Sequence, residues 1–469
     1  MSGFFGCISK KDCVTDVFYG TDYHSHLGTK RAGMAFYSPE KGFQRSIHSL
    51  EDGYFRNKFE SNLSKFNGKM GIGVISDTEA QPIVVTSHLG QFAVATVGKI
   101  VNIDELEKEY MKNHRTFTEN SQGTINPTEV ITMLIADGDD FVSGIQNVYD
   151  KVKGSCSMLI LTENSIIAAR DKLGRTPVII GKNGNGYAAS FETCAFPNLG
   201  YETDKFVGPG EIVEISAEGH AQLKKPENKM QVCSFLWVYY GYPPSFYENI
   251  NVDEVRYKCG ISLAKRDQNL YGDFVAGIPD SGVGHAMGYS NEQKIPLKRP
   301  YSKYTPTWPR SFMPQSQNTR DLVAKMKLIP NKALTKGKKG IFLDDSIVRG
   351  TQLKDNVKDL YQAGIEEVHV RIACPPLTFP CEFLNFSRSR SNLDLATHRA
   401  VKQIEGKNNT DMREYSDNKN EKYEAMVEQM RKNMGFTSLK FQKLDDLVEN
   451  IGLPKDKLCT HCWDGSSYF

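Results

Sequence analysis

Apolar residues in the first half of the chain fall in short runs broken by polar or glycine-containing turns. Met70-Gly-Ile-Gly-Val-Ile75, Pro82-Ile-Val-Val-Thr86 and Phe92-Ala-Val-Ala-Thr96 are such runs. Val130, Ile131, Leu134 and Ile135 then repeat at the spacing of one helix face. Further strand-like runs follow at Met158-Leu-Ile-Leu161, Ser165-Ile-Ile-Ala-Ala169, Pro177-Val-Ile-Ile180 and Glu211-Ile-Val-Glu-Ile215. Many short strands with few, clustered helices predict an α+β unit built on antiparallel sheets. The polar stretch Lys224-Lys-Pro-Glu-Asn-Lys229 reads as a linker, which divides the chain into 1–230 and 231–469.

The second half has another rhythm. Phe274-Val-Ala-Gly-Ile278 and Gly340-Ile-Phe-Leu343 are strands that each run into a polar loop. After the second, Leu353, Val357, Leu360 and Tyr361 predict one buried helix face, closed by Gly364. Val368-His-Val-Arg-Ile372 alternates as a strand. Strand, loop, helix, strand is a βαβ unit and implies a parallel sheet. Residues 405–434 are charged, lack a strong apolar stripe, and read as an exposed helical insertion.

Composition narrows the class. The 469 residues suffice for two or three domains, and 58 Lys plus Arg against 56 Asp plus Glu leave no field that would draw nucleic acid or an anionic membrane. No apolar run is long enough to span a bilayer. Met1-Ser-Gly-Phe-Phe-Gly-Cys7 lacks the basic start and apolar core of a signal peptide, so the expected compartment is the cytoplasm. The ten cysteines should then stay reduced, and any cluster of them points to metal or redox chemistry.

The segment Lys338-Lys-Gly-Ile-Phe-Leu-Asp344-Asp345-Ser346-Ile-Val-Arg349-Gly350-Thr351 carries the clearest chemistry. In a parallel α/β sheet, ligands sit outside the C-terminal strand ends, where Asp344 and Asp345 stand. The loop then enters a helix N-terminus, whose free N–H groups and dipole attract phosphate. Gly350 allows close backbone approach, Ser346 and Thr351 offer hydroxyls, and Arg349 offers a charge. Paired carboxylates beside a phosphate cradle suit a sugar phosphate, with the carboxylates taking ribose hydroxyls or Mg²⁺.

This string resembles the phosphoribosyl-pyrophosphate (PRPP) motif of type I phosphoribosyltransferases. Its wording is similar to that of the glutamine phosphoribosylpyrophosphate amidotransferase family, whose reaction opens purine synthesis. Gly277-Ile-Pro-Asp-Ser281-Gly282 resembles the family's Val-Pro-Asp-Ser-Gly loop, which implies Ser281 near the magnesium. Arg310-Ser-Phe-Met, with Gln317 and Arg320, resembles its flexible loop and implies that Arg310 binds PRPP. Ala169-Arg-Asp-Lys-Leu-Gly-Arg-Thr-Pro177, Ala189-Ser-Phe-Glu192 and Val207-Gly-Pro-Gly-Glu211 resemble its glutaminase domain. The resemblance implies an N-terminal-nucleophile αββα sandwich in 1–230, followed by an α/β type I phosphoribosyltransferase domain in 231–469. It also implies a homo-oligomer, with purine nucleotides as possible inhibitors.

Cys459-Thr-His-Cys462 alone fits a redox pair, half a zinc site or chance. Cys233, before Ser-Phe-Leu-Trp, and Cys381, ending Pro375-Pro-Leu-Thr-Phe-Pro-Cys, stand in wordings similar to the family's iron–sulfur branch. There the four corresponding cysteines hold a 4Fe–4S cluster; zinc is the alternative for four thiolates.

The glutaminase motifs depart from the family. Relatives start with Cys-Gly-Ile/Val-Phe-Gly, and that cysteine is the nucleophile with its own α-amine as base. Here Met1-Ser2-Gly3-Phe4-Phe5-Gly6 puts Ser2, a much less acidic hydroxyl, at that position. His-Arg-Gly-Gln is replaced by His26-Leu27-Gly28-Thr29, and the arginine-bearing Gly-Ile-Gly-His-x-Arg by Gly71-Ile-Gly-Val-Ile-Ser76. Thr96-Val97-Gly98-Lys99 lacks the oxyanion-hole asparagine, a donor typically worth ~3 kcal/mol. Asn126-Pro127-Thr128-Glu129 lacks the aspartate that meets the substrate amine. In the second unit, Lys303-Tyr-Thr-Pro-Thr-Trp-Pro309 and Gly241-Tyr-Pro-Pro-Ser245 also depart. Two expectations follow. One is an enzyme that forms phosphoribosylamine from PRPP and ammonia, free or supplied by a complete amidotransferase. The other is a non-catalytic regulator that binds PRPP or a nucleotide and pairs with such an amidotransferase. A nucleobase phosphoribosyltransferase would leave the N-terminal unit unexplained.

Overall fold

The computed structural model describes residues 2–121, 123–303, 328–384, 391–407 and 411–468. Two antiparallel sheets carry the first half. The first runs Glu202–Phe206, Ile179–Asn183, Gly186–Ser190, β1 (Gly3–Ser9), β2 (Met70–Ser76), Arg31–Ser38 and Gly42–Ser49. The second runs His220–Lys224, Ile212–Ile215, Ile166–Ala169, β4 (Gly154–Leu161), β3 (Gly90–Ile100) and Ile83–Ser87.

The pleat explains the layering. On β3, Ala93, Ala95 and Val97 join the core shared with the first sheet, and Leu159 and Leu161 on β4 do the same. The alternate residues, Phe92 and Val94 with Met158 and Ile160, pack against helices. A strand apolar on both faces must be covered on both. On the first sheet's side, α1 (Val14–Asp22) buries Val14, Val17 and Phe18. On the second sheet's side lie α2 (Pro127–Ala136) and α3 (Phe141–Lys151). Asn126 caps α2 by accepting the Thr128 N–H, with proline at the first helical position, and Asp140 and Ser143 form a reciprocal capping box on α3. The result is the expected αββα sandwich.

The second half is built on four parallel strands in the order β5 (Phe274–Gly277), β6 (Lys339–Asp344), β7 (Glu367–Ile372) and β8 (Ser438–Phe441). Helices α4 (Val252–Lys265) and α5 (Val283–Gln293) flank β5, and α6 (Thr351–Gln362) crosses from β6 to β7. Leu353, Val357 and Leu360 are buried on α6 as expected, and Gly364 lies just past it at φ +89°. Tyr361 is not on that face. It is 39% exposed and shares a hydrogen bond of 3.2 Å with the Thr437 hydroxyl. Leu360 already occupies the stripe, and its chain neighbour is rotated about 100° away from it.

The region 405–434 also differs from expectation. Here α8 (Glu421–Met434) packs on α7 (Ala396–Glu405) and buries Tyr423, Met426, Val427, Met430 and Met434. These follow helical spacing, but the intervening charges hide them in a composition average. Beyond the sheets, Val232–Cys233 pairs in parallel with Leu458–Cys459, which ties the C-terminal segment to the chain leaving the sandwich. No helix among the described residues is long and apolar enough to cross a membrane.

Candidate functional site

The loop after β6 is fixed from several sides. The Ala373 N–H donates to the Asp344 carbonyl at 2.9 Å, and the Ile278 N–H donates to the Leu343 carbonyl at 2.8 Å. The second bond brings the Ile278–Gly282 loop against the strand end that carries the two aspartates. Gly282 is required there, since a Cβ would lie 2.3 Å from the Leu343 carbonyl oxygen. Asp345 is buried and accepts the Ser346 hydroxyl, while its own N–H donates to Asp344 Oδ1 at 3.0 Å. Ser281 also hydrogen-bonds the Asp345 carboxyl.

The electrostatics of this pair are informative. Burial pushes Asp344 well above the carboxylate range, and the charge of Asp345 pushes it further. Burial raises Asp345 as well, opposed by hydrogen bonds from Ser281, Ser346 and Asp344 and by the charge of Arg256. Two adjacent carboxylates in such a place ionise together only when a cation or ligand hydroxyls join them. Arg256 is itself buried and spends its donors on backbone: Nε on the Trp237 carbonyl at 3.0 Å, Nη2 on Tyr239 at 3.0 Å and Gly241 at 2.8 Å.

Past the aspartates the backbone turns into α6. Gly350 sits at φ +71°, a conformation that favours glycine, and a Cβ there would meet Met434 Cε of α8 at 2.4 Å. Thr351 is the first residue of α6. Arg349 is exposed, and its carbonyl accepts the Arg399 guanidinium. The helix read as an exposed insertion therefore forms the floor of this loop. A Tyr/Met stripe at helical spacing was the available signal. Arg310, Gln317 and Arg320 lie outside the described residues, as do residues 304–309 of the proline-rich departure. At the near edge of that segment, Lys303 pairs with Asp280.

The four cysteines Cys233, Cys381, Cys459 and Cys462 come together although they are far apart in sequence. Cys233 and Cys459 are register partners. The Cys462 carbonyl accepts the Thr378 and Phe379 N–H groups at 3.0 and 3.1 Å, and the Leu384 N–H points at Cys381 Sγ at 3.4 Å. Cys462 is pushed up by a hydrogen bond with Cys381, by burial, and by the neighbouring Cys381, Cys459 and Cys233. Burial, then Cys459 and Cys381, push Cys233 up. Burial raises Cys459 too, partly offset by the Arg175 guanidinium that reaches it. Four thiols that discourage each other's ionisation need a positive core to become thiolates. Among the described residues, no three or more His, Cys, Asp or Glu side chains are placed to hold a single metal ion.

In the sandwich, the altered motif positions converge. A cavity of about 140 Å³ is lined by Ser2, Thr96, Gly98, Pro127 and Glu79, among others. Ser2 is buried, and its Oγ donates to Ser76 Oγ at 3.3 Å. Two hydroxyls thus face each other where the family pattern has a thiol and an arginine. Val97 is buried in the core between the two sheets. Burial raises the Glu79 carboxyl to about 7. Sequence reasoning did not single out Glu79. Leu384, from the second half, also lines this cavity.

The junction of the two halves is ordered by Glu192. It is buried, with His26 Nε2 at 3.1 Å, and accepts the Tyr247 hydroxyl, the Tyr242 N–H at 3.3 Å and the Cys194 thiol at 3.2 Å. Burial alone would raise it, but the charge and hydrogen bond of His26, with His24 and Tyr247, hold it at about 2.

Known proteins share this fold. Residues 68–197 match the glutamine amidotransferase domain family. The chain is 32% identical to an amidophosphoribosyltransferase of Methanocaldococcus jannaschii over 99% of its own length and 97% of the relative's. It is 30% identical to that of Bacillus subtilis over 99% of its length and 93% of the relative's. The solved glutamine PRPP amidotransferase of B. subtilis in complex with ADP and GMP superimposes with a TM-score of 0.82 at 27% identity, covering 100% of this chain and 97% of the other. The chain belongs to the amidophosphoribosyltransferase family.

Proposed function

We propose that the protein forms 5-phosphoribosylamine from PRPP, in purine biosynthesis, and takes its nitrogen from ammonia rather than from glutamine. One contrast carries this reading. The loop from Asp344 to Thr351 keeps the paired carboxylates, hydroxyls, arginine and glycine of the PRPP motif, while Ser2, Ser76, Val97 and Pro127 stand at the motif positions where glutamine hydrolysis needs a thiol, a guanidinium, an amide and a carboxylate.

The loop residues act by positioning and charge. The N–H groups at the start of α6, with the Ser346 and Thr351 hydroxyls and Arg349, hold the 5-phosphate. Asp344 and Asp345 hold the ribose hydroxyls and so fix C1 for attack. Ammonia forms the C1–N bond as the C1–O bond to pyrophosphate breaks, and the attacking nitrogen gives up one proton. Mg²⁺ fits the Asp344, Asp345 and Ser281 cluster, whose carboxyls burial holds in want of a cation, and when bound it neutralises pyrophosphate. Arg310 is part of this proposal as a PRPP contact.

Cys233, Cys381, Cys459 and Cys462 fit a 4Fe–4S cluster. Zinc is the alternative for four thiolates; a cluster would take one thiolate at each of its four irons. Its role is to bind the C-terminal segment to the junction. The boundary near residue 230 places the glutaminase-like and transferase units on either side of that tie.

Pyrophosphate release from Mg-PRPP by anaerobically purified protein tests the function, with ammonium chloride and glutamine assayed in parallel. Turnover with ammonium alone supports the proposal. Turnover with glutamine overturns it, and PRPP binding without turnover from either donor favours the regulator.

A further inference from the structure

A second cavity, of about 350 Å³, shares Ser155 and Cys156 with the wall of the Ser2 pocket and takes no residue from the PRPP loop. Its wall is made by the end of α3, the turn Asp171–Leu173, Lys229 in the segment leaving the sandwich, and Tyr468 near the C-terminus. Four separate stretches of chain therefore meet around it. Its volume is in the range of small-molecule sites, about 300–1,000 Å³.

The charge is one-sided. Lys153, Lys172, Arg175 and Lys229 line it against Asp150 and Asp171. Asp171 is buried and spends its oxygens on its own turn: Oδ1 accepts the N–H groups of Arg175 and, at 3.4 Å, Thr176, while Oδ2 accepts the Leu173 N–H at 3.4 Å. Burial also raises its pKa, which weakens it further as a counter-charge. Asp150 stands 3.4 Å from Lys172, and Lys153 reaches out to Glu105 at 3.2 Å. Lys229 has no carboxylate partner among the described residues; its Nζ stands 5.7 Å from the centre of the Tyr468 ring. The buried Arg175 is held by Gln231 at 2.9 Å, the Gly154 carbonyl at 3.3 Å and Cys459, with its guanidinium 3.8 Å from the centre of the Phe383 ring, so it adds a fixed background charge at the wall.

We propose that this cavity binds a small phosphate ester. Ammonium groups on independent segments, backed by the fixed charge of a guanidinium, can converge on a compact, multiply charged anion, whereas one carboxylate would leave most of them unmatched. A ligand here bridges the sandwich, the connecting segment and the C-terminal segment.

Lysine acetylation footprinting of the full-length protein tests this, with inorganic phosphate and glycerol 3-phosphate as probes. Both should protect Lys172 and Lys229 at probe concentrations that leave Lys332 and Lys402 labelled, and glycerol 3-phosphate should protect at lower concentration. By calorimetry, Lys172→Ala/Lys229→Ala should bind glycerol 3-phosphate at least ten-fold more weakly, with Lys172→Arg/Lys229→Arg restoring most of the loss. PRPP turnover should stay unchanged in both. Equal protection of all four lysines, or binding that Asp345→Ala abolishes and Lys172→Ala/Lys229→Ala leaves intact, would overturn the proposal.

Discussion

The loop after β6 and the pocket at Ser2 are both places where secondary structure delivers polar side chains to a cavity, yet they have diverged in opposite directions. At the loop, the buried Asp345, its neighbour Asp344 and Ser281 from the adjoining loop are hydrogen-bonded together, and a left-handed glycine follows at Gly350. At the pocket, the strands β1, β2 and β3 still converge, but on the Ser2 and Ser76 hydroxyls and the Glu79 carboxyl. The scaffold of a site and its chemistry are thus separable. A strand keeps its place because its other residues fill the core, whatever its last residue presents to a ligand.

The largest expected effect breaks the intact side. Asp345→Ala should weaken Mg-PRPP binding by about 100-fold, roughly 3 kcal/mol, with the visible absorbance of the proposed iron–sulfur cluster unchanged. Unchanged PRPP affinity in a filter-binding assay would remove the loop from the site.

Arg256→Met tests whether that side depends on its buried cation. It would leave the carbonyls of Trp237, Tyr239 and Gly241 without their donor. A loss of about 3 kcal/mol is expected in urea unfolding. A variant as stable as the parent would mean that those carbonyls find other partners.

Acid sharpens the comparison on the sandwich side. Burial is the main cause that lowers His24 to about 4. The unfolded chain takes up this proton first, so stability is complete above pH 6.5 and falls as pH drops toward 4. The loss from this one group is about 3 kcal/mol by pH 4. Unfolding midpoints across that window should fall for the parent and flatten for His24→Asn.

Gly350→Ala should act more mildly, because it strains a φ of +71° and crowds Met434. A rise in the KM for PRPP of about five-fold, near 1 kcal/mol, should come with little change in kcat. The smallest effect belongs to the diverged side: Ser2→Ala should leave ammonium-dependent turnover within about two-fold, which steady-state rates will show.

Much of this contrast was legible in the residues. Strand runs such as Phe92–Thr96 and the helix face of Val130, Ile131, Leu134 and Ile135 are local patterns, and they fold where periodicity placed them. The string from Asp344 to Thr351 is also local, since one strand end, one turn and one helix start make up the proposed cradle. What escaped was non-local or masked by charge. Glu79 acquires its raised pKa from burial that no neighbour in sequence announces. The stripe on α8 is interleaved with Lys, Glu, Gln and Arg, so its average polarity conceals a face on which Met434 supports Gly350. Arg256 looks like an ordinary helical arginine until the carbonyls of residues 237, 239 and 241 are seen around it.

The central claim concerns the origin of one nitrogen atom, and an isotope can report it directly. The protein would be given Mg-PRPP, ¹⁵N-ammonium and unlabelled glutamine together, and the phosphoribosylamine trapped and weighed by mass spectrometry. Product carrying ¹⁵N throughout is the predicted result. Product carrying unlabelled amide nitrogen, made without glutaminase contamination, would show that the pocket at Ser2 still hydrolyses glutamine and would contradict the account.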